Sequence, residues 1–344
     1  MKIFFLLLFL LGSFPFSSAQ AAEKTGLLWK GVNLSGGEFG KHRRLPGKYG
    51  RDYLYPSVED VALYATFGMN VVRIPFLWER LQRQLNMPFD EEELERLEEV
   101  VEAASDENMM VILDPHSDGK YNGRLIGSTQ VPIAAFEDFL TRLAVHFKGN
   151  SKVAFGLMDE PFKQPADEWA KIAQAGVLAL RKAGVEQLIL VPGTLYTSAH
   201  RWRKRAGRFS NSEALSGLKD PLNNFAFEVH QYFDFDASGT HSTCESELIG
   251  EELLSYFTQW LRVTGNRGFL AEFATSKNPL CLVALKQTLA YMEKNADVWL
   301  GWTYWGASAW FEDYMFSIYP PDPERFPQAA VLKEFLTDSE VPEE

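Results

Sequence analysis

Residues 153–161, VAFGLMDEP, run from an apolar stretch into two adjacent carboxylates and then a proline. A strand buried on both faces of a parallel sheet reads as a continuous apolar run, and the proline after it stops regular structure. Asp159 and Glu160 are thereby delivered to the C-terminal end of a strand. Residues 268–275, GFLAEFAT, have the same form and deliver Glu272. Two glutamates at the ends of two separated strands suggest a carboxylate pair across one mouth.

Working outward from these segments, short apolar runs alternate with longer amphipathic ones from Leu28 onward, as βα units around a parallel sheet do. The pattern predicts strands over 29–34, 70–76, 109–116, 153–160, 187–193, 224–232, 268–275 and 299–306. Eight strands close a barrel, so the fold class expected is α/β, a single (β/α)8 TIM barrel over residues 22–344. Helices are expected over 58–67, 91–107, 132–147, 167–183, 247–263, 279–294 and 329–336, with only a weak one near 213–218. The acidic run 90–99 carries a helical stripe of Leu94, Leu97, Val100 and Val101, so its charges read as a solvated face with Asp90 as the cap.

The chain of 344 residues has a net charge of -12, which argues against nucleic acid and anionic membranes as partners. The basic cluster 201–208 reads as a solvated loop. Residues 1–21 read as a signal peptide: Lys2, the apolar run 3–11, then Ala19-Gln20-Ala21. A membrane anchor is the alternative, but the run is shorter than the ~20 residues a span requires. A monomer secreted to the extracellular space or periplasm is expected. In an exported chain the two cysteines, Cys244 and Cys281, suggest a disulfide on either side of Glu272, with two buried thiols as the alternative.

The active site of such a barrel is built at the C-terminal ends of its strands. The polar residues there are Asn33, Arg73, His116, Asp159 with Glu160, Thr194, His230 with Tyr232, Glu272 and Trp305. Hydrolysis of a glycosidic bond needs one carboxylic acid to protonate the leaving oxygen and one carboxylate on the other side of the sugar. Strands four and seven are expected on opposing sides of the barrel, so Glu160 and Glu272 fit that pair. Arg73 can hold the second carboxylate ionised, and Tyr232 can donate to it. His116 and His230 can bind sugar hydroxyls or tune the acid. Trp305 offers a flat face to a pyranose, and Trp202, Tyr196, Trp310 and Phe311 can extend that platform. A metal site would call for clustered ligands such as His-x-His on the first strand, which here reads Gly31-Val32-Asn33-Leu34-Ser35. No metal or cofactor is expected.

The ordered set Arg73, His116, Asp159-Glu160-Pro161, His230-x-Tyr232, Glu272 and Trp305 resembles glycoside hydrolase family 5, the cellulase family, across essentially the whole mature chain. VHQYFDFDASGTHSTC, LAEFAT and GWTYWGASAWFEDYMFS look most like its fungal-type and related bacterial endo-β-1,4-glucanases. The resemblance implies a retaining double displacement on β-1,4-linked glucan, with Glu272 as nucleophile and Glu160 as acid and then base. It also implies a Cys244–Cys281 bridge. Mannan, xyloglucan or mixed-linkage glucan are the alternative substrates. The family places asparagine where this chain has Asp159, a residue that lacks an amide hydrogen and adds negative charge beside both acids. That departure implies a slower enzyme or a displaced pH profile, and leaves a non-catalytic sugar-binding barrel as a further alternative.

Overall fold

The apolar runs become eight parallel strands: β1 (Trp29–Asn33), β2 (Val71–Phe76), β3 (Met110–Pro115), β4 (Val153–Gly156), β5 (Ile189–Pro192), β6 (Phe225–His230), β7 (Gly268–Phe273) and β8 (Trp299–Tyr304). They close into a barrel in sequence order, with β8 pairing back on β1. The computed structural model describes residues 26–41, 45–311 and 313–336. The expected signal peptide, 1–21, lies outside the described residues.

Each strand is followed by a helix: α1 (Val58–Phe67), α2 (Glu91–Asp106), α3 (Ile133–Phe147), α4 (Ala166–Lys182), α5 (Asn211–Ala214), α6 (Ile249–Thr264), α7 (Pro279–Lys294) and α8 (Pro327–Lys333). Local chemistry starts several of them. Asp90 caps α2 by accepting from Glu93 N, as its place before the acidic run predicts. The weak fifth helix is a single turn that begins earlier than expected, because Ser210 and Glu213 form a capping box around its start.

The barrel interior is layered. Val71, Met110, Ile112, Ala154, Leu190, Ala226, Phe269 and Ala271 are buried together as a separate apolar cluster, distinct from the larger core that includes helix-facing residues. Side chains two apart share a face of a strand, so Arg73, Asp114 and Glu228 follow Val71, Ile112 and Ala226 on the inward face. An apolar plug therefore lies under a charged layer.

Two strand ends differ from expectation in ways that shape the site. β4 stops at Gly156, and Leu157–Pro161 continues as a turn in which Asp159 N donates to Pro115 O at 2.9 Å. Glu160 itself is left-handed, with φ 37°. A non-glycine residue there is strained, a state held only where the surroundings over-determine it. The β6–β7 register shifts between Val229 and His230, so that His230 pairs with Glu272. Such an irregularity re-aims side chains at the rim of a barrel. Cys244 and Cys281 form a disulfide with Cα atoms 5.3 Å apart.

Candidate active site

Arg73, fully buried, is the hub of the charged layer. Its Nη2 lies 2.9 Å from Glu228 Oε1 and 3.1 Å from both Asp114 Oδ2 and Asp159 Oδ1. Its Nη1 donates to Asn33 Oδ1 at 2.9 Å and lies 3.9 Å from Glu272 Oε2. Asn33 in turn donates to Ala271 O at 2.8 Å, so its role is to orient the guanidinium rather than to meet a ligand. Burial opposes the charge on Arg73, but the surrounding acids more than offset it and raise its pKa.

The two histidines join these buried acids to the mouth. His230 Nδ1 is 2.9 Å from Glu160 Oε1 and 3.7 Å from Glu272 Oε2, while its Nε2 is 3.2 Å from Glu228 Oε1. Burial would lower its pKa, yet Glu272, Glu160 and Glu228 together hold it well above the ordinary histidine range. The three carboxylates around His230 thus favour its protonated form. Glu228 is kept below its usual range despite burial, because Arg73 and His230 both face it. Tyr232 Oη donates to Glu272 Oε1 in a short hydrogen bond. Burial and the Glu272 charge push that phenol up, so it remains a donor.

His116 bridges two acids, with Nδ1 2.8 Å from Asp114 Oδ2 and Nε2 3.2 Å from Asp159 Oδ2. Burial pushes Asp114 up to about 7 and Asp159 up to about 8. While it keeps its proton, Asp159 can donate to His116 Nε2. Half-buried Trp305 stacks on His116 with ring centroids 5.9 Å apart and planes 18° apart.

Most of the expected set thus converges: Arg73, His116, Asp159, Glu160, His230, Tyr232, Glu272 and Trp305. The two glutamates are not diametrically opposed, since β4 and β7 stand three strands apart in the barrel order. They meet because β6 lies between them and supplies His230. Trp202 does not join the site. It is fully buried, with its ring edge-on to Phe257 at 4.8 Å, Trp260 at 5.3 Å and Phe227 at 5.8 Å, so no face is left for a sugar. Thr194 is likewise buried, donating to Gln164 O at 2.8 Å. Tyr196 and Trp310 are exposed, at 42% and 56%.

Asp114 and Glu228 were missing from the strand-end set because they lie inside their strands rather than at the ends. Of three groups of acids and histidine among the described residues that are close enough to hold a cation, Asp234 with Asp236 and His241 lies in the loop after β6, and two lie in the site, Asp114 with His116 and Asp159, and Asp159 with His230 and Glu272. In both, the Arg73 guanidinium already supplies the positive charge.

The family model for cellulase, glycosyl hydrolase family 5, matches residues 21–308. Endo-beta-1,4-glucanase B of Emericella nidulans is 36% identical over 94% of this chain and 95% of its own length. The solved structure of XacCel5A in complex with cellopentaose is 48% identical, covering 90% of this chain and 99% of that one with a TM-score of 0.87. Pseudomonas stutzeri endoglucanase Cel5A in complex with cellobiose is 31% identical, with a TM-score of 0.83 over 92% of this chain and 94% of that one.

Proposed function

The chain belongs to glycosyl hydrolase family 5, the cellulase family, and we propose that it is a secreted endo-β-1,4-glucanase that cuts glucan with retention of configuration. The observation that carries the mechanism is the single atom His230 Nδ1, within 3.7 Å of a carboxylate oxygen of both Glu160 and Glu272. Two carboxylate oxygens that both approach one nitrogen are compatible with the ~5–5.5 Å separation of a retaining pair, the outcome the family resemblance implies.

In the first step Glu272, ionised and oriented by Tyr232, attacks the anomeric carbon as Glu160 protonates the departing glycosidic oxygen. In the second, Glu160 takes a proton from water, and the resulting nucleophile displaces Glu272 from the glycosyl-enzyme. Arg73 keeps positive charge beside Glu272, and His230, whose protonated form its neighbours favour, stands between the two acids. Export is supported by the N-terminal sequence and by the disulfide, which persists in oxidising compartments. Among the described residues, no helix is long and apolar enough to cross a membrane.

Initial rates on carboxymethylcellulose, hydroxyethylcellulose, a mannan, a xyloglucan and a mixed-linkage glucan, with the products sized, test the substrate. The two celluloses are expected to be cut internally, giving a fast fall in viscosity. Cleavage of mannan with inert celluloses would sink the reading.

Asp159→Asn tests the departure from the family pattern. Below about pH 7 Asp159 holds its proton, and an asparagine amide can donate to His116 in its place, so the two pH–rate profiles should coincide. Above about pH 8 the parent gains a negative charge beside His116 and the acid turn that the variant lacks, so the two profiles should part there. The same ionisation bears on stability. A carboxyl whose folded pKa is raised stabilises the fold fully below its unfolded value of about 3.9, and that contribution is lost as pH rises through about 8. The Tm advantage of Asp159→Asn should therefore grow between pH 5 and about 9. Superimposable rate profiles at every pH would remove Asp159 from the account.

A further inference from the structure

Beside Glu160 the loops after β5 and β6 enclose a cavity of about 450 Å³, whose lining includes Glu160, Tyr196, Arg201, His230, Tyr232 and Asp236. Its lining takes in Glu160, the acid of the proposed mechanism, together with His230 and Tyr232. We infer that it is a subsite for a sugar bearing a carboxylate, with Tyr196 as the platform and Arg201 as the anion-binding group. The inference rests on the glucanase reading and deepens it.

The platform is built at a conformational cost. Leu195, Tyr196 and Thr197 are all left-handed, with φ of 60°, 62° and 43°. Three such residues in succession persist only where other contacts fix them. Here Tyr196 N donates to Pro161 O at 3.0 Å, next to the acid, and His230 N donates to Thr197 O at 3.1 Å. Thr197 Oγ1 accepts from Gly193 N at 2.8 Å and donates to Glu228 O. The run is stitched to the catalytic turn on one side and to β6 on the other. It stacks one face of Tyr196 on Phe162, with centroids 4.7 Å apart and planes 4° apart. The ring remains 42% exposed as part of the cavity wall.

Arg201, on the wall of this cavity, is not committed to a carboxylate among the described residues. Arg73 is held by three acids, and Lys41 Nζ pairs with Asp118 at 2.9 Å. Among the described residues, the Arg201 side chain makes one hydrogen bond, from Nε to His200 Nε2 at 3.2 Å. His200 can accept there because burial holds its pKa below the usual range and keeps it neutral. It is anchored in turn to Gln231 Oε1 by its backbone N at 3.0 Å and its Nδ1 at 3.2 Å. The guanidinium is thus fixed at Nε, and both Nη groups retain the fork geometry that binds a carboxylate in two places. An apolar ring face beside a fixed guanidinium is the combination that recognises a pyranose carrying an acidic group. Asp236 opposes an anion in the same cavity, but its carboxylate lies 3.7 Å from His241 Nδ1.

The test compares kcat/KM on carboxymethylcellulose with that on hydroxyethylcellulose, matched in chain length and degree of substitution. In Arg201→Gln the ratio of the two values should fall about fivefold, as expected for a charge-assisted contact at a partly exposed site. Arg201→Lys should keep part of the preference, and Asp236→Asn should raise it. Raising NaCl from about 10 mM to about 500 mM screens both the general repulsion of an acidic protein and the Arg201 contact, so the parent's ratio should fall relative to that of Arg201→Gln. Asp236→Asn keeps the test decisive should Arg201→Gln melt early. An equal loss on both polymers, or a ratio insensitive to Arg201, Asp236 and salt, would overturn the subsite. Were the parent to cut neither polymer, the glucanase reading would fall instead.

Discussion

Glu272→Ala is expected to lose roughly four orders of magnitude or more in kcat on soluble β-glucan, because without a nucleophile no glycosyl-enzyme forms. The fold should survive the change. Arg73 retains Asp114, Asp159 and Glu228, so no buried cation is stranded, and Tyr232 can turn its hydroxyl to water in the space left behind. Sodium azide supplied to this variant, with a cellobioside carrying a good leaving group, should restore turnover. The azide would enter the vacated space and attack from the face Glu272 used, giving the α-glycosyl azide. A variant that hydrolyses glucan at the parent's rate would remove Glu272 as the nucleophile, and a β-azide would place the attack on the other face.

Glu160→Ala should fail in a different way. Its cost depends on how much help the leaving group needs, since general acid catalysis contributes about 10²–10⁴. On glucan, where the departing group is a sugar alkoxide, the loss should reach the top of that range. On a dinitrophenyl cellobioside, which departs without a proton, the first step should stay fast. Breakdown of the intermediate then lacks its base, so the kinetics should show a burst followed by a slow steady state. Here azide should accelerate the second step and yield the β-glycosyl azide, the opposite anomer to that from Glu272→Ala. A uniform loss on both substrates, with no burst, would mean that Glu160 is not the acid. The two variants together separate the roles of two glutamates that share one imidazole nitrogen.

The barrel was legible because parallel strands buried on both faces leave near-continuous apolar runs, and all eight were visible as such. Their ends were less legible. The run 153–158 stays apolar to Met158, so nothing in hydropathy marks the point where β4 leaves the sheet at Gly156 and the turn to Glu160 begins. Within the site, attention to the last residue of each strand found His116 and His230 but passed over Asp114 and Glu228. Following the period-two alternation back from each histidine would have reached both, as Ile112, Asp114 and His116, and Ala226, Glu228 and His230, share an inward face. Trp202 and Arg201 show the limit of composition. Adjacent residues in a basic, aromatic stretch read as one solvated loop, yet a 3-10 turn over Ala199–Arg201 sends the tryptophan into the core and leaves the arginine on the cavity wall. That division depends on backbone geometry set by the left-handed residues before it, which no side-chain pattern encodes.

Because Val71, Ile112, Leu190 and Phe269 plug the lower barrel, nothing the size of a sugar can thread through the molecule. Substrate and product share one doorway, at the strand ends. A polymer therefore has to lie across the strand ends rather than pass through the barrel. Severed halves can drift away sideways without being reeled through. The apolar plug thus confines both binding and release to one face of the molecule without touching the sugar.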